Sequence, residues 1–265
     1  MNSTLTIIAG ICGTLAAVGC GTREPTRSAD RSNVVPDGPA IAGVIKDERG
    51  ENLANLMVQA CTARVCLAGR TNAVGRFVIG GLEAPADVIV KTPESDATTP
   101  FRAESVTPVH LMADALVDIG TQYVVTLRPP VTLAPASSDP QTVPLGDGLT
   151  LTLRRGDLHM PPSVAQDDRI SARLIPPQQL PQFAELGAED VLSVYALFPF
   201  GAKSTSAIAV RLPTELPAGT KVHLRTIGEL DGRLSAASDA TSDGHVLVSQ
   251  PGTGITELTW LVASR

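Results

Sequence analysis

The residues able to do chemistry in this chain are few and far apart. Cysteines occupy positions 12, 20, 61 and 66. Cys61 and Cys66 lie in QACTARVCLAG, a short loop between two strand-like runs, where a disulfide, two free thiols and a metal pair are the alternatives. A metal would need further ligands, and no histidine lies nearby in the sequence. The four histidines, His110, His159, His223 and His245, are scattered, and none begins the His-x-x-Glu pair of a zinc peptidase. They read as structural or solvated side chains. In DATSDG, Asp239, Thr241, Asp243 and Gly244 alternate oxygen ligands with a turn glycine, but Gln250 stands where a calcium loop needs its closing acid. A turn is therefore expected there. No G-x-S-x-G, H-E-x-x-H or glycine-rich phosphate loop is present, so no catalytic residue, metal or other cofactor is assigned.

Aromatic side chains are the remaining candidates for recognition. Tyr123, Tyr195, Phe198, Phe200 and Trp260 would form a sugar-stacking platform only if two or more were coplanar and exposed. A lone Trp near the end of an alternating strand is more often core. Only 3% of the 265 residues are aromatic, against 43% that are apolar.

The elements that must position these groups read as strands. The 23 glycines and 21 prolines punctuate short runs of Val, Leu, Ile and Thr, which favours an all-β chain over a helical one. The length accommodates two domains of ordinary size. A net charge of -6 with no clustered Lys or Arg argues against a nucleic-acid partner.

Residues 1–20, MNSTLTIIAGICGTLAAVGC, contain no charged side chain, and the apolar run over 5–19 is shorter than the roughly 20 residues a membrane-spanning helix needs. Its length and small-residue end fit a secretory signal. Ala17, Val18, Gly19 and Cys20 resemble the lipobox of bacterial lipoproteins, although Ala17 replaces the usual leucine and no Lys or Arg precedes the apolar run. The resemblance implies cleavage before Cys20, a diacylglycerol on its thiol and a further acyl chain, such as palmitate, on its new amino group. Several chains make such attachment durable. Gly21 in place of Asp favours the outer membrane of a cell envelope over the inner one. Export would also place Cys61 and Cys66 in an oxidising compartment, which favours the disulfide among the alternatives. Residues 20–38 have mixed charges, prolines and no amphipathic period, so a flexible tether is expected.

A first folded unit is expected over 39–128. Asp47 to Gly50, DERG, read as one turn, and Asn72 with Gly75 in TNAVG as another. Phe77 and Ile79 alternate inward along the following strand. Gly43, Ile45, Asp47, Gly50 and Leu53, followed by Thr71, Asn72, Gly75, Phe77, Ile79 and Leu82, resemble the carboxypeptidase regulatory-like family. The resemblance implies a transthyretin-like β-sandwich of prealbumin type that serves as an accessory module without the peptidase itself. The first half of the pattern is imperfect in register, and the Gly-Tyr of many family members is absent.

Prolines and serines interrupt the pattern over 129–141, which reads as a linker. Alternation resumes over 142–265: Leu149, Leu151 and Leu153 share one face, and AIAVRLP, KVHLRTI, HVLVSQP and ITELTWLV repeat the habit. A second β-sandwich is expected. PQQLPQFAELGAED is a weak helical segment broken by Pro181. The last stretch, with Leu216 to Thr220, then Ser242, Asp243 and Gly244, then Gly254, Ile255 and Trp260, resembles a β-rich module at the ends of bacterial surface proteins. Together these readings predict two non-catalytic β-sandwich domains in a membrane-anchored envelope lipoprotein. Its role would be structural or protein-binding, with envelope proteins or polysaccharide as partners. A carbohydrate-binding accessory module is the alternative.

Overall fold

The computed structural model describes residues 38–93, 101–113, 115–135, 139–164, 168–180, 186–187 and 190–265. All of them lie within the compact unit Ser32–Arg265, so the expected signal, Cys20 and most of the tether lie outside the described residues. The described residues are nearly all β, with short 3-10 turns and no α-helix.

The first seven strands are β1 (Ala40–Asp47), β2 (Met57–Cys61), β3 (Cys66–Arg70), β4 (Arg76–Gly80), β5 (Ala86–Thr92), β6 (Ser105–Leu111) and β7 (Leu116–Val124). They form two facing sheets, ordered β4-β1-β7 and β3-β2-β5-β6. Ile41, Ile45, Val58, Phe77, Ile79, Val88 and Leu111 fill the space between the sheets, as period-two alternation requires. β1 runs parallel to β7, with a register shift between Ala42 and Val44. Gly43 sits at that shift, where a Cβ would stand 2.9 Å from both Ile119 and Phe77. The glycine therefore permits the close approach of β1 to its own core.

The later strands are β8 (Val131–Thr132), β9 (Gln141–Gly146), β10 (Leu149–Leu153), β11 (Leu158–His159), β12 (Arg169–Leu174), β13 (Val191–Phe198), β14 (Ala202–Pro213), β15 (Lys221–Ile227), β16 (Leu234–Ser242), β17 (Val246–Ser249), β18 (Ile255–Leu258) and β19 (Trp260–Ser264). They join one continuous path, β8-β12-β13-β19-β15-β16-β17-β14-β10-β9, with β11 and β18 also paired to β14. The path curls until β9 lies against β12, so the sheet is a nearly closed barrel around a second core. Leu149, Leu151 and Leu153 point into it together, as their spacing predicts. Within 129–141, Val131 and Thr132 pair with β12, and Leu133 is buried in the barrel core. Among its described residues the helical segment contributes a 3-10 turn at Pro177–Gln179, with Asp190 also in 3-10 conformation, and no α-helix.

A third core joins the two units. Along β13, Tyr195 and Leu197 face the barrel interior, while Val194, Ala196 and Phe198 face outward. β19 repeats this, with Leu261 and Ala263 inward and Trp260 and Val262 outward. Those outward residues meet Ile89, Val106, Val125 and Leu127 of the first unit. β5 is likewise apolar on both faces, Val88 and Val90 serving the sandwich core and Ile89 the seam. A strand covered on both sides loses its polar alternation, which is why VYALF and DVIV are near-continuous apolar runs.

Candidate functional site

The turn residues singled out in the sequence stabilise loops locally. The Asp47 carboxylate accepts hydrogen bonds from the amides of Arg49 and Glu51, each at 2.9 Å, and pairs with the Arg49 guanidinium. Burial works to raise the Asp47 carboxyl, but the Glu51 and Arg49 amides and the Arg49 guanidinium hold it below the ordinary range. Gly50 completes the turn at φ +84°. Asn72 builds the matching turn, its side-chain oxygen accepting from the amides of Val74 at 3.0 Å and Arg76 at 2.9 Å. The Thr71 hydroxyl donates to the Leu53 carbonyl and accepts from the Leu56 amide at 2.8 Å, fixing the loop between β1 and β2. Phe77, Ile79 and Leu82 are sandwich core. These side chains are therefore committed to architecture.

Cys61 and Cys66 form a disulfide across the facing ends of β2 and β3. His110 and His223 each meet a carboxylate on the neighbouring strand, Asp87 and Asp239, at 2.8 Å. Asp239 therefore engages His223, while Asp243 spends a carboxylate oxygen on the amides of His245 and Val246 in a turn. Among the described residues no three His, Cys, Asp or Glu side chains stand close enough together to hold a metal. Tyr195, Phe198, Phe200 and Trp260 are buried, and Tyr123 is half-buried. The coplanar, exposed platform that sugar stacking needs is not formed by these five rings.

The feature that the sequence did not single out lies beside the seam. A cleft of about 1200 Å³ opens between the sandwich and the barrel, lined by β6, β7 and the loop 228–233 between β15 and β16. At its inner end Lys91 Nζ lies 3.6 Å from the Glu104 carboxylate, both side chains being 13% exposed. Lys91 also stands over the Phe200 ring, 6.0 Å from its centre. Burial pushes the Glu104 carboxyl up to about 7; Lys91 opposes the rise and Glu229 adds to it. Trp260 Nε1 donates to the Glu104 carbonyl at 2.9 Å. In sequence Glu104 stands in FRAESV beside a second charged residue, Arg102, and nothing in that stretch marks it as buried.

A second polar link crosses the same boundary. Gln179 Nε2 donates to the Glu48 carbonyl at 2.7 Å, and Glu48 accepts from the Thr126 amide at 3.2 Å. The turn begun by Asp47 thus docks the barrel as well as closing β1. Above the seam, the loop 228–233 carries Leu230 at 82% exposure, beside Glu229 and Asp231. Among the described residues the cleft wall carries the acids Asp87, Glu104, Glu229 and Asp231, of which Asp87 meets His110 and Glu104 meets Lys91, with Arg233 as the further cation.

No protein family profile and no characterised protein matches the chain. Solved structures give distant likenesses. A variant of the major pilin subunit of Bacillus cereus shares 9% identity at a TM-score of 0.27, over 86% of this chain and 58% of its own. A candidate carbohydrate-binding protein from Bacteroides uniformis shares 10% at 0.25, over 85% and 78% respectively. Fervidolysin from Fervidobacterium pennivorans, a keratinolytic enzyme related to subtilisin, shares 12% at 0.22, over 86% and 31%. The chain thus spans 58% of the pilin's length. TM-scores this low support no inference from any of the three about this chain's activity.

Proposed function

We propose that this chain is a non-catalytic envelope lipoprotein, anchored through acylated Cys20, whose β units serve a structural or protein-binding role on the outer-membrane side. The observation that carries the role is the third core. A seam built from Ile89, Val106, Phe198, Trp260 and Val262 fixes the sandwich against the barrel as one body, and an open cleft remains beside it. A rigid body that leaves one cleft open suits presentation to a partner. The anchor rests on the uncharged run ending in Ala17, Val18, Gly19 and Cys20 and on the disulfide, which suits an oxidising compartment. No helix among the described residues is long and apolar enough to cross a membrane. The carbohydrate alternative is the less favoured reading, because four of its five candidate rings are buried.

Mass spectrometry of protein extracted from membranes, beside a Cys20→Ala variant, tests the anchor. A mature chain beginning at Cys20 with acyl mass is expected, and the variant should leave the membrane fraction. An intact first residue without acyl mass would overturn the reading.

A further inference from the structure

The two strands that flank the cleft are both sheet edges. β6 ends the sheet β3-β2-β5-β6 and β7 ends the sheet β4-β1-β7, and no described strand pairs with the outer side of either. At their base the chain is closed, because the Ala103 amide donates to Val125 at 3.0 Å and the Leu127 amide to Phe101 at 2.8 Å. Beyond that point residues of both strands line the cleft, and the Thr107 hydroxyl donates to the Gln122 side chain at 2.9 Å between them. An unpaired edge presents a row of amides and carbonyls that another extended chain can satisfy.

We propose that this cleft is a docking groove for an extended, lysine- or arginine-bearing polypeptide segment, which adds as a strand to the free edge of β7 with β6 as the facing wall. The proposal rests on the protein-binding reading above and names its site and the chemistry of its partner. Shape selects an extended polymer: edges of seven and nine residues run roughly 23 and 30 Å at about 3.3 Å per residue. Polypeptide is favoured over glycan because the cleft offers main-chain edges, while the candidate sugar-stacking rings are buried apart from half-buried Tyr123. Charge selects the basic side chains. Among the described cleft-lining residues Glu104 is engaged with Lys91 and Asp87 with His110, which leaves Glu229 and Asp231 on the loop 228–233 with Arg233 as the cation beside them, an acidic excess that favours a basic side chain. Among the described residues no donor meets the buried Gln179 Oε1 in the same wall. Pro108 withholds one amide from β6, so β7 supplies the fuller edge. Exposed Leu230 offers an apolar contact at the rim.

Trp260 is the one tryptophan of the chain and lies in the cleft wall, so its emission reports occupancy without a label. Full-length protein in detergent is titrated with a capped peptide of about eight residues alternating valine and lysine, one strand edge in length. Parallel titrations use its glutamate counterpart, its backbone N-methylated form and a neutral oligosaccharide. The lysine peptide is expected to shift Trp260 emission saturably. The glutamate and N-methylated forms should bind at least about tenfold more weakly, and a Glu229→Gln, Asp231→Asn variant with unchanged thermal unfolding should weaken the lysine peptide by a similar factor. Equal binding of the N-methylated form would remove strand addition, and equal binding of the glutamate form would remove the charge argument. A shift with the oligosaccharide alone, or with none of the ligands, would overturn the proposal. Any of these results leaves the acylation of Cys20 to be decided by its own mass measurement.

Discussion

The Trp260 indole donates to the Glu104 carbonyl at 2.9 Å, a bond between residues 156 positions apart that crosses the seam from barrel to sandwich. It ties the last strand of the chain to the approach of β6, beside a carboxylate whose burial is costly. The two units should therefore respond together to changes at this point.

Glu104 makes the seam sensitive to pH. Its folded-state carboxyl is raised from 4.5 to about 7, so the folded protein holds this proton more tightly than the unfolded chain. The contribution is complete below the unfolded value and is lost as pH rises through about 7. Asp47 acts oppositely, as does Asp147, where burial is outweighed by the Arg128 guanidinium and the Leu174 amide: both are held below the ordinary value and lose their contribution as pH falls through those lowered values. Thermal unfolding should thus occur at higher temperature near about pH 5.5 than about pH 8.5. Glu104→Gln should flatten the difference on the alkaline side. A variant with the same alkaline loss as the parent would locate the titrating group elsewhere.

The shared core predicts one unfolding transition. Phe198→Ala removes a ring from the seam that also stacks edge-on against Phe101, with ring centres 4.3 Å apart. The expected loss is about 3–5 kcal/mol, with the sandwich and barrel transitions separating in calorimetry. Trp260→Phe keeps most of the packing but leaves the Glu104 carbonyl without its donor, for a loss of about 1–2 kcal/mol. Trp260 fluorescence and far-UV dichroism should report coincident transitions in the parent.

Two turn glycines should behave differently. A Cβ on Gly75 would stand 2.6 Å from the Ile45 carbonyl oxygen, and its φ is +74°. Gly50, at φ +84°, has open space around it. Gly50→Ala should cost only the left-handed backbone term of about 1–2 kcal/mol. Gly75→Ala adds a collision with backbone that cannot rotate away, for a total above about 3 kcal/mol by chemical denaturation. Equal losses would mean that β1 moves to accommodate the new atom.

Removing the disulfide should act locally. The paired variant Cys61→Ser, Cys66→Ser opens a short loop, and about 2 kcal/mol is the expected loss on the chain-entropy estimate. Hydrogen exchange should rise at 62–65, where the Thr62 side chain and main chain organise the turn with Val65, and remain unchanged in the barrel.

The cues read most clearly in the sequence were those whose chemistry is local. Asp47, Gly50, Asn72 and Gly75 mark turns because a short side-chain oxygen can reach amides two to four residues on, and because glycine accepts positive φ. Leu149, Leu151 and Leu153 mark one sheet face because successive side chains alternate. The separation of Cys61 and Cys66 left several chemistries open until the strand register brought the sulfurs together. Asp239 and Asp243 looked alike in DATSDG, yet strand pairing gave one to His223 and a turn kept the other.

The sequence by itself determined the all-β class, the turn positions and which residues alternate into a core, because each follows from interactions within a few residues. Only the tertiary structure decided that β5 packs against the outward faces of the neighbouring strands β13 and β19, that Lys91 and Glu104 lie beside Trp260, and that β6 and β7 flank an open cleft. Apolar burial is non-directional: a run such as VYALF requires a cover on each face but does not specify which distant surface supplies it.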